Sequence, residues 1–351
     1  MHIPDGYLSP ATCAITYAAA LPFWYVAFAR VKCLLHTRTV PLLAVFSAFS
    51  FVIMMFNLPL PGGTSGHAVG VAVATIVLGP WASMVAVSIA LLIQSLFFGD
   101  GGITTYGANC LNMAVAGTLV AHWTYMLIAG RAELTASRRV VAAAIAGYLA
   151  INVAALLTAV EFGVQPMLFH DATGTPLYAP YPLAIAIPAM MIGHLTVAGL
   201  AELVISGGLV AYLQRANPDL LAYSVSSGVA DTRARASIWR STRTLWFILA
   251  ALMILSPLGL LVEGTAWGEW GVDDFAIGEA RQQISSASGN EALPATVPQG
   301  LEHLAIVWTA PVPDYAPGFM QNANLGYILS AVFGTGLILL AFLLISRASP
   351  K

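Results

Sequence analysis

The residues with types and spacing suited to metal chemistry stand at the start of the chain, Met1-His2-Ile3-Pro4-Asp5-Gly6-Tyr7-Leu8. A histidine at position 2 puts three nitrogens within chelating reach of one another. They are the α-amine of Met1, the backbone amide of His2 and the His2 imidazole. The amine and the next amide close one chelate ring, and the imidazole closes a second. If a metal displaces the amide proton, the three nitrogens lie in one plane, which suits Ni(II), Cu(II) or Co(II). A fourth donor is needed, and His67, in Pro61-Gly62-Gly63-Thr64-Ser65-Gly66-His67, is the best candidate. Against this stands the chance presence of a histidine at a fraying terminus, so the rest of the chain has to decide.

Other polar residues are weighed against the same chemistry. Asn109 and Asn112 lie one turn apart in an apolar stretch, with Gln94 in the previous one and Asp100 in the glycine-rich loop between them. Neutral amides are poor ligands for Ni(II) or Co(II), so these residues are expected to brace the outer loops and fix ligand geometry. His194 and Glu202 sit eight residues apart on one face of a span, where ionisable groups are functional suspects. A helix-packing hydrogen bond is the expectation for them. His36, His122, His170 and His303 are expected to play no part. Cys13, Cys33 and Cys110 form no ligand pair and no disulfide framework. The methionines, spread through apolar spans, read as core.

The elements that must position these residues are membrane spans. Of 351 residues, 58% are hydrophobic and 9% charged, against about 25% charged in a soluble domain. The expected fold is therefore an all-α polytopic integral membrane protein. A net charge of −2 argues against nucleic acid as a partner, and the start lacks the basic region of a cleavable signal peptide. Apolar stretches fall at 9–29, 40–60, 67–80, 82–98, 106–129, 139–161, 182–212, 244–262 and 325–346. The third and fourth are short, separated by Gly79-Pro80, and could form a tight hairpin. With nine spans, every Lys and Arg except Arg281 falls on one side. The bias of basic residues toward the cytoplasm then sets the amino terminus outside and the carboxyl terminus in the cytoplasm of the cell membrane. His67 and the loop Gly99-Asp100-Gly101-Gly102-Ile103-Thr104-Thr105-Tyr106-Gly107 share the exterior side with His2, and their glycines allow backbone to fold closely over a buried object.

Three parts are expected: a seven-span metal-binding bundle at 1–215, a polar cytoplasmic linker at 216–243, and a two-span part at 244–351 around an exterior loop, 263–323. That loop carries Glu263, Glu269, Asp273, Asp274, Glu279, Glu291, Glu302 and Asp314 against Arg281. Ordinary solvation is the expectation for these charges, with attraction of cations as the alternative. The tail holds no residue of the chelate, so its removal is expected to leave metal binding largely intact.

The opening Met1 to Leu8 resembles the start of the CbiM/NikM proteins, the substrate-binding components of energy-coupling-factor transporters for cobalt and nickel. Gly66-His67-Ala68-Val69-Gly70 fits the same family, as do Gln94 to Ile103, Gly107-Ala108-Asn109 and, less specifically, Gly193 to Glu202. The resemblance covers about residues 1–213. Val297-Pro298-Gln299-Gly300-Leu301-Glu302, with Val312 to Gly318, resembles a fused CbiN/NikN-like tail of the PDGLE type, with Gln299 where that motif has aspartate. The resemblance implies Ni(II) or Co(II) as transported substrate, held by the Met1 amine, the His2 amide, the His2 imidazole and the His67 imidazole. It also implies that a separate transmembrane coupling protein and two cytoplasmic ATPases power the transport. No GxxxxGK[ST] loop is present in the chain. A stand-alone secondary permease is the main alternative, although ionisable residues near the midplane are sparse. A membrane metalloenzyme is the second, but no HExxH motif occurs.

Overall fold

The computed structural model describes residues 1–32, 40–222 and 238–348. Cys33, His36, Arg38, Arg233, Arg235, Lys351 and most of the expected linker lie outside these residues. The helices are α1 (Pro10–Lys32), α2 (Val40–Met54), α3 (Val71–Leu78), α4 (Pro80–Ile93), α5 (Tyr106–Asn109), α6 (Thr118–Ala129), α7 (Ser137–Leu168), α8 (Leu183–Gly193), α9 (Gly199–Ala216), α10 (Asp219–Ala222), α11 (Ile238–Leu255), α12 (Gly278–Ala287), α13 (Gln299–Leu304) and α14 (Ala323–Ala348). Among the described residues, seven helical segments are long and apolar enough to cross a membrane: Pro10–Lys32, Pro80–Phe98, Tyr106–Ala129, Ser137–Leu168, Leu183–Ala216, Thr242–Leu261 and Ala323–Arg347. The 15-residue α2 is apolar but shorter. The molecule is all-α and polytopic, as its composition requires.

The stretch at 67–80 takes the short form of a tight helical hairpin with the helix that follows. Its helical part, α3, has 8 residues, a rise of about 12 Å against about 30 Å of hydrocarbon. Gly79 turns it directly into α4 with φ +80°, and Pro80 opens the new helix at a position that needs no N–H donor. One difference is a small antiparallel hairpin between α2 and α3, β1 (Leu58–Leu60) paired with β2 (Thr64–Gly66) in the register Leu58↔Gly66. The turn Pro61-Gly62-Gly63 permits it, with positive φ at both glycines. β2 ends one residue before His67, so the hairpin sets where that ring begins.

Three helical turns widen into π-helix: Gln94–Phe98, Cys110–Gly117 and His194–Ala198. Such bulges occur frequently at functional sites, and two of these three begin at a polar residue, Gln94 and His194. The first ends at Gly99, whose φ of +72° turns the chain into Asp100.

Glycine also sets how closely α1 approaches α5. A Cβ on Gly107 would stand 2.7 Å from the Tyr17 backbone nitrogen and 2.8 Å from its Cα. Gly107→Ala is therefore expected to force these helices apart and destabilise the protein by about 1–3 kcal/mol, read as a lower unfolding temperature in detergent.

Candidate metal centre

The first eight residues form no helix or strand, yet Met1, His2, Ile3, Tyr7 and Leu8 are each at most 2% exposed. Extended backbone can be buried only if its polar groups find partners, and here loops and side chains supply them. The Ile3 amide donates to Asn109 Oδ1 at 2.8 Å, while Asn109 Nδ2 donates back to the Ile3 carbonyl at 3.1 Å. That carbonyl also accepts from the Gly102 amide at 2.9 Å and from the Thr105 hydroxyl. Asp5 accepts the amides of Ile103 (3.1 Å) and Thr104 (2.7 Å). A Cβ on Gly102 would lie 2.4 Å from the Asp5 nitrogen, so only glycine lets this loop close on the terminus.

The Met1 amine lies 2.7 Å from Glu269 Oε1. His2 Nδ1 lies 2.6 Å from Asp100 Oδ1, although neither ring nitrogen of His2 has an aligned hydrogen-bond partner. His67 stacks on His2, with ring centroids 4.9 Å apart and planes inclined by 28°. His67 Nδ1 faces the Ala68 carbonyl at 3.1 Å, and Nε2 is buried and unpartnered. A donor to that carbonyl at Nδ1 leaves Nε2 as a bare lone pair.

One ligand atom each from His2, Asp100 and Glu269 lies within 4.8 Å of the others. Among the described residues this is the one convergence of three His, Cys, Asp or Glu donors.

The structure therefore brings Met1, His2 and His67 to one buried place, with Asp100 directly against His2. Gln94 is one step back: its Nε2 donates to Asp100 Oδ2 at 3.1 Å and to the Tyr315 oxygen at 2.9 Å. Tyr315 in turn donates to Asp100 Oδ2 at 2.6 Å. Asn109 braces the terminus through Ile3. Asn112 does not brace these loops. It donates to Glu161 Oε2 at 2.7 Å and Thr158 Oγ1 at 3.2 Å on α7, because one further turn of the helix carries it below the loop.

Glu202 does not pair with His194. Its carboxylate accepts the amides of Val69 (2.7 Å) and Gly70 (3.0 Å) at the start of α3, where helix N–H groups lack partners and the dipole favours an anion. It thus fixes the segment that carries His67. His194 Nδ1 faces its own helix at the Met190 carbonyl, 2.8 Å away. His170 and His303 are exposed, and Cys13 and Cys110 are buried free thiols.

Two residues of the tail, Glu269 and Tyr315, reach the site, which corrects the expectation of a solvated acidic loop for Glu269. Their only sequence signal was excess acid in an aromatic-rich segment. Burial, with the nearby His2 and Met1 charges, holds the His67 imidazole well below its ordinary range. Burial opposes ionisation of Asp100, but His2, His67 and the Tyr315 hydroxyl outweigh it and hold its carboxyl well below the usual range.

Similarity to known chains places this multi-pass membrane protein in the class of transport proteins. Residues 2–220 match the family model for the cobalt uptake substrate-specific transmembrane region, CbiM, and residues 241–350 match the PDGLE domain. The chain is 56% identical over 338 residues to the fused nickel transport protein NikMN of Rhodobacter capsulatus, covering 96% of this chain and 95% of that one. It is 42% identical over 350 residues to the probable fused nickel transport protein LarMN of Lactiplantibacillus plantarum, covering 99% and 97%. A crystal structure of a transition metal transporter is similar with 48% identity and a TM-score of 0.59, covering 67% of this chain and 100% of that chain. The chain belongs to the CbiM family, with a PDGLE domain at its carboxyl end; its relatives are transporters, not enzymes.

Two outcomes follow from this geometry. Glu202→Ala should free the segment that carries His67 and destabilise the protein by about 1–3 kcal/mol, as leaving buried amides unpaired does, measured by thermal unfolding in detergent. For His67, the folded chain resists a proton that the unfolded chain accepts at about pH 6.5. Stability of the metal-free protein should therefore fall as pH drops below about 6.5. Thermal unfolding should show this slope, and His67→Gln should flatten it.

Proposed function

We propose that this chain is the substrate-binding membrane component of an ATP-driven, energy-coupling-factor uptake transporter for Ni(II) or Co(II). The carrying observation is the burial of the Met1 amine and the His2 ring together, with the bare Nε2 of His67 beside them. The proposed ligands are the Met1 amine, the His2 amide, the His2 imidazole and His67. All four are nitrogens, which suits tetragonal Ni(II) and Co(II). Asp100 and Glu269 place carboxylates against two of these donors, the His2 ring and the Met1 amine.

Charge placement supports binding at the exterior face. Arg30 and Lys32, Arg215 and Arg347 stand in the last turns of α1, α9 and α14, and Arg131 follows α6; basic residues favour the cytoplasmic side of a membrane. The proposed division is 1–215 as the binding component, 216–243 as a cytoplasmic linker and 244–351 as the fused tail. With no nucleotide-binding loop of its own, the chain depends on a transmembrane coupling protein and cytoplasmic ATPases.

Uptake of radioactive metal should require the ATPase subunits; full uptake by this chain alone would establish a secondary permease instead. An alanine added before Met1 should abolish high-affinity binding, because it removes the amine from the chelate. His67→Ala should weaken binding by more than about a hundredfold, beyond the usual outer-shell cost, while His194→Ala stays near wild type. Calorimetry in two buffers of different ionisation enthalpy should show proton release near neutral pH, since the amide must deprotonate to ligate. Release of no protons would contradict the amide ligand.

A further inference from the structure

Glu269 is held by more structure than a solvated loop residue needs. Trp267 and Trp270 on either side are each 5% exposed. Trp267 Nε1 donates to Ser288 Oγ at 3.1 Å, and the Trp270 carbonyl accepts the Tyr7 hydroxyl at 2.8 Å. Between them, Gly268 at φ +83° lies so close to Phe162 that a Cβ would stand 2.5 Å from the ring. Ala266 bridges to Ser65, two residues before His67. The segment 266–270 is thus fastened both to the amino-terminal stretch and to the hairpin that leads to His67. From this platform the carboxylate reaches the Met1 amine at 2.7 Å.

We propose that Glu269 is a positioning residue of the metal site: it holds the Met1 amine beside the His2 nitrogens, so that the chelate rings close on an amine already in place. This rests on the reading of the amine as a donor. A free terminus samples many orientations, and fixing one costs conformational entropy. Here that ordering is done during folding, before the ion arrives, which favours binding. Glu269 lies 268 residues from Met1 along the chain, so two segments far apart in sequence meet at the amine. The PDGLE part thereby contributes to affinity as well as to transport.

The test uses the full chain with Glu269→Ala and the near-isosteric Glu269→Gln, titrated with Ni(II) alone by calorimetry and followed by the ligand-field absorption of the bound ion. Glu269→Ala should bind about tenfold more weakly. Glu269→Gln should fall between it and wild type, because its amide oxygen still accepts from the amine. The absorption of all three saturated proteins should coincide, since the donor set is unchanged. Unaltered affinity in Glu269→Ala, no rescue in Glu269→Gln, or a shifted spectrum would each overturn the proposal, the last by making Glu269 a ligand. The chain with alanine before Met1 separates the two readings. If it binds as tightly as wild type, the donor reading fails and this proposal with it. If it loses binding while Glu269→Ala does not, the Glu269 assignment alone fails.

Discussion

A charged amine cannot be buried without a partner, and the contact of the Met1 ammonium with Glu269 at 2.7 Å is the interaction on which the rest of the arrangement turns. Stripping an ammonium of water costs several kcal/mol, which only an opposing charge and good geometry recover. Once that pair is made, the extended stretch behind it must also be buried. Its backbone groups are then met by Asn109, Gly102, Thr105 and Gln165 in place of a regular ladder. The loop 99–107 and the tail close around the terminus because the terminus has nowhere else to satisfy its polar atoms.

The same logic orders the surroundings of His67. The Glu202 carboxylate, contributed by a long helix far along the chain, takes up the amides of Val69 and Gly70 that lead into the short α3. A buried carboxylate and an uncapped helix start solve each other's problem. The by-product is a fixed ring, stacked on His2, whose Nε2 stays bare. Asp100 is held similarly: Gln94 and Tyr315 both reach Oδ2, leaving Oδ1 against His2. Each donor near the proposed ion is thus oriented by a neighbour that does not itself bind it, which is how affinity for metals is commonly tuned.

The division of labour between the two family-matched parts follows from these contacts. The first part supplies every proposed nitrogen. The tail supplies a carboxylate on the amine, a tyrosine on Asp100 and a carbonyl for Tyr7. An uptake component has to hold its ion and also release it, so a site assembled partly from a separately anchored segment can be loosened by moving that segment.

Much was legible in the chain alone. Apolar runs of about twenty residues can satisfy their backbone in lipid only as helices, so an all-α membrane fold followed from composition. The closeness of the Met1 amine to the His2 nitrogens followed from covalent spacing, which no fold can alter, and the glycines of 99–107 signalled a close backbone approach. Local pattern failed where a partner was distant. The stretch at 67–80 could be read as a full span or a short hairpin, and packing among the other helices decided for the short form. Asn112 and Asn109 looked equivalent by spacing, yet one turn of helix sends them to different neighbours. Glu202, Glu269 and Tyr315 could not be assigned from sequence, because their roles lie in which backbone amide, amine or carboxylate they meet across 133, 268 and 215 residues. Covalent geometry and solvent preference act locally and can be read along a chain. The pairing of buried charges is decided only when the helices have packed.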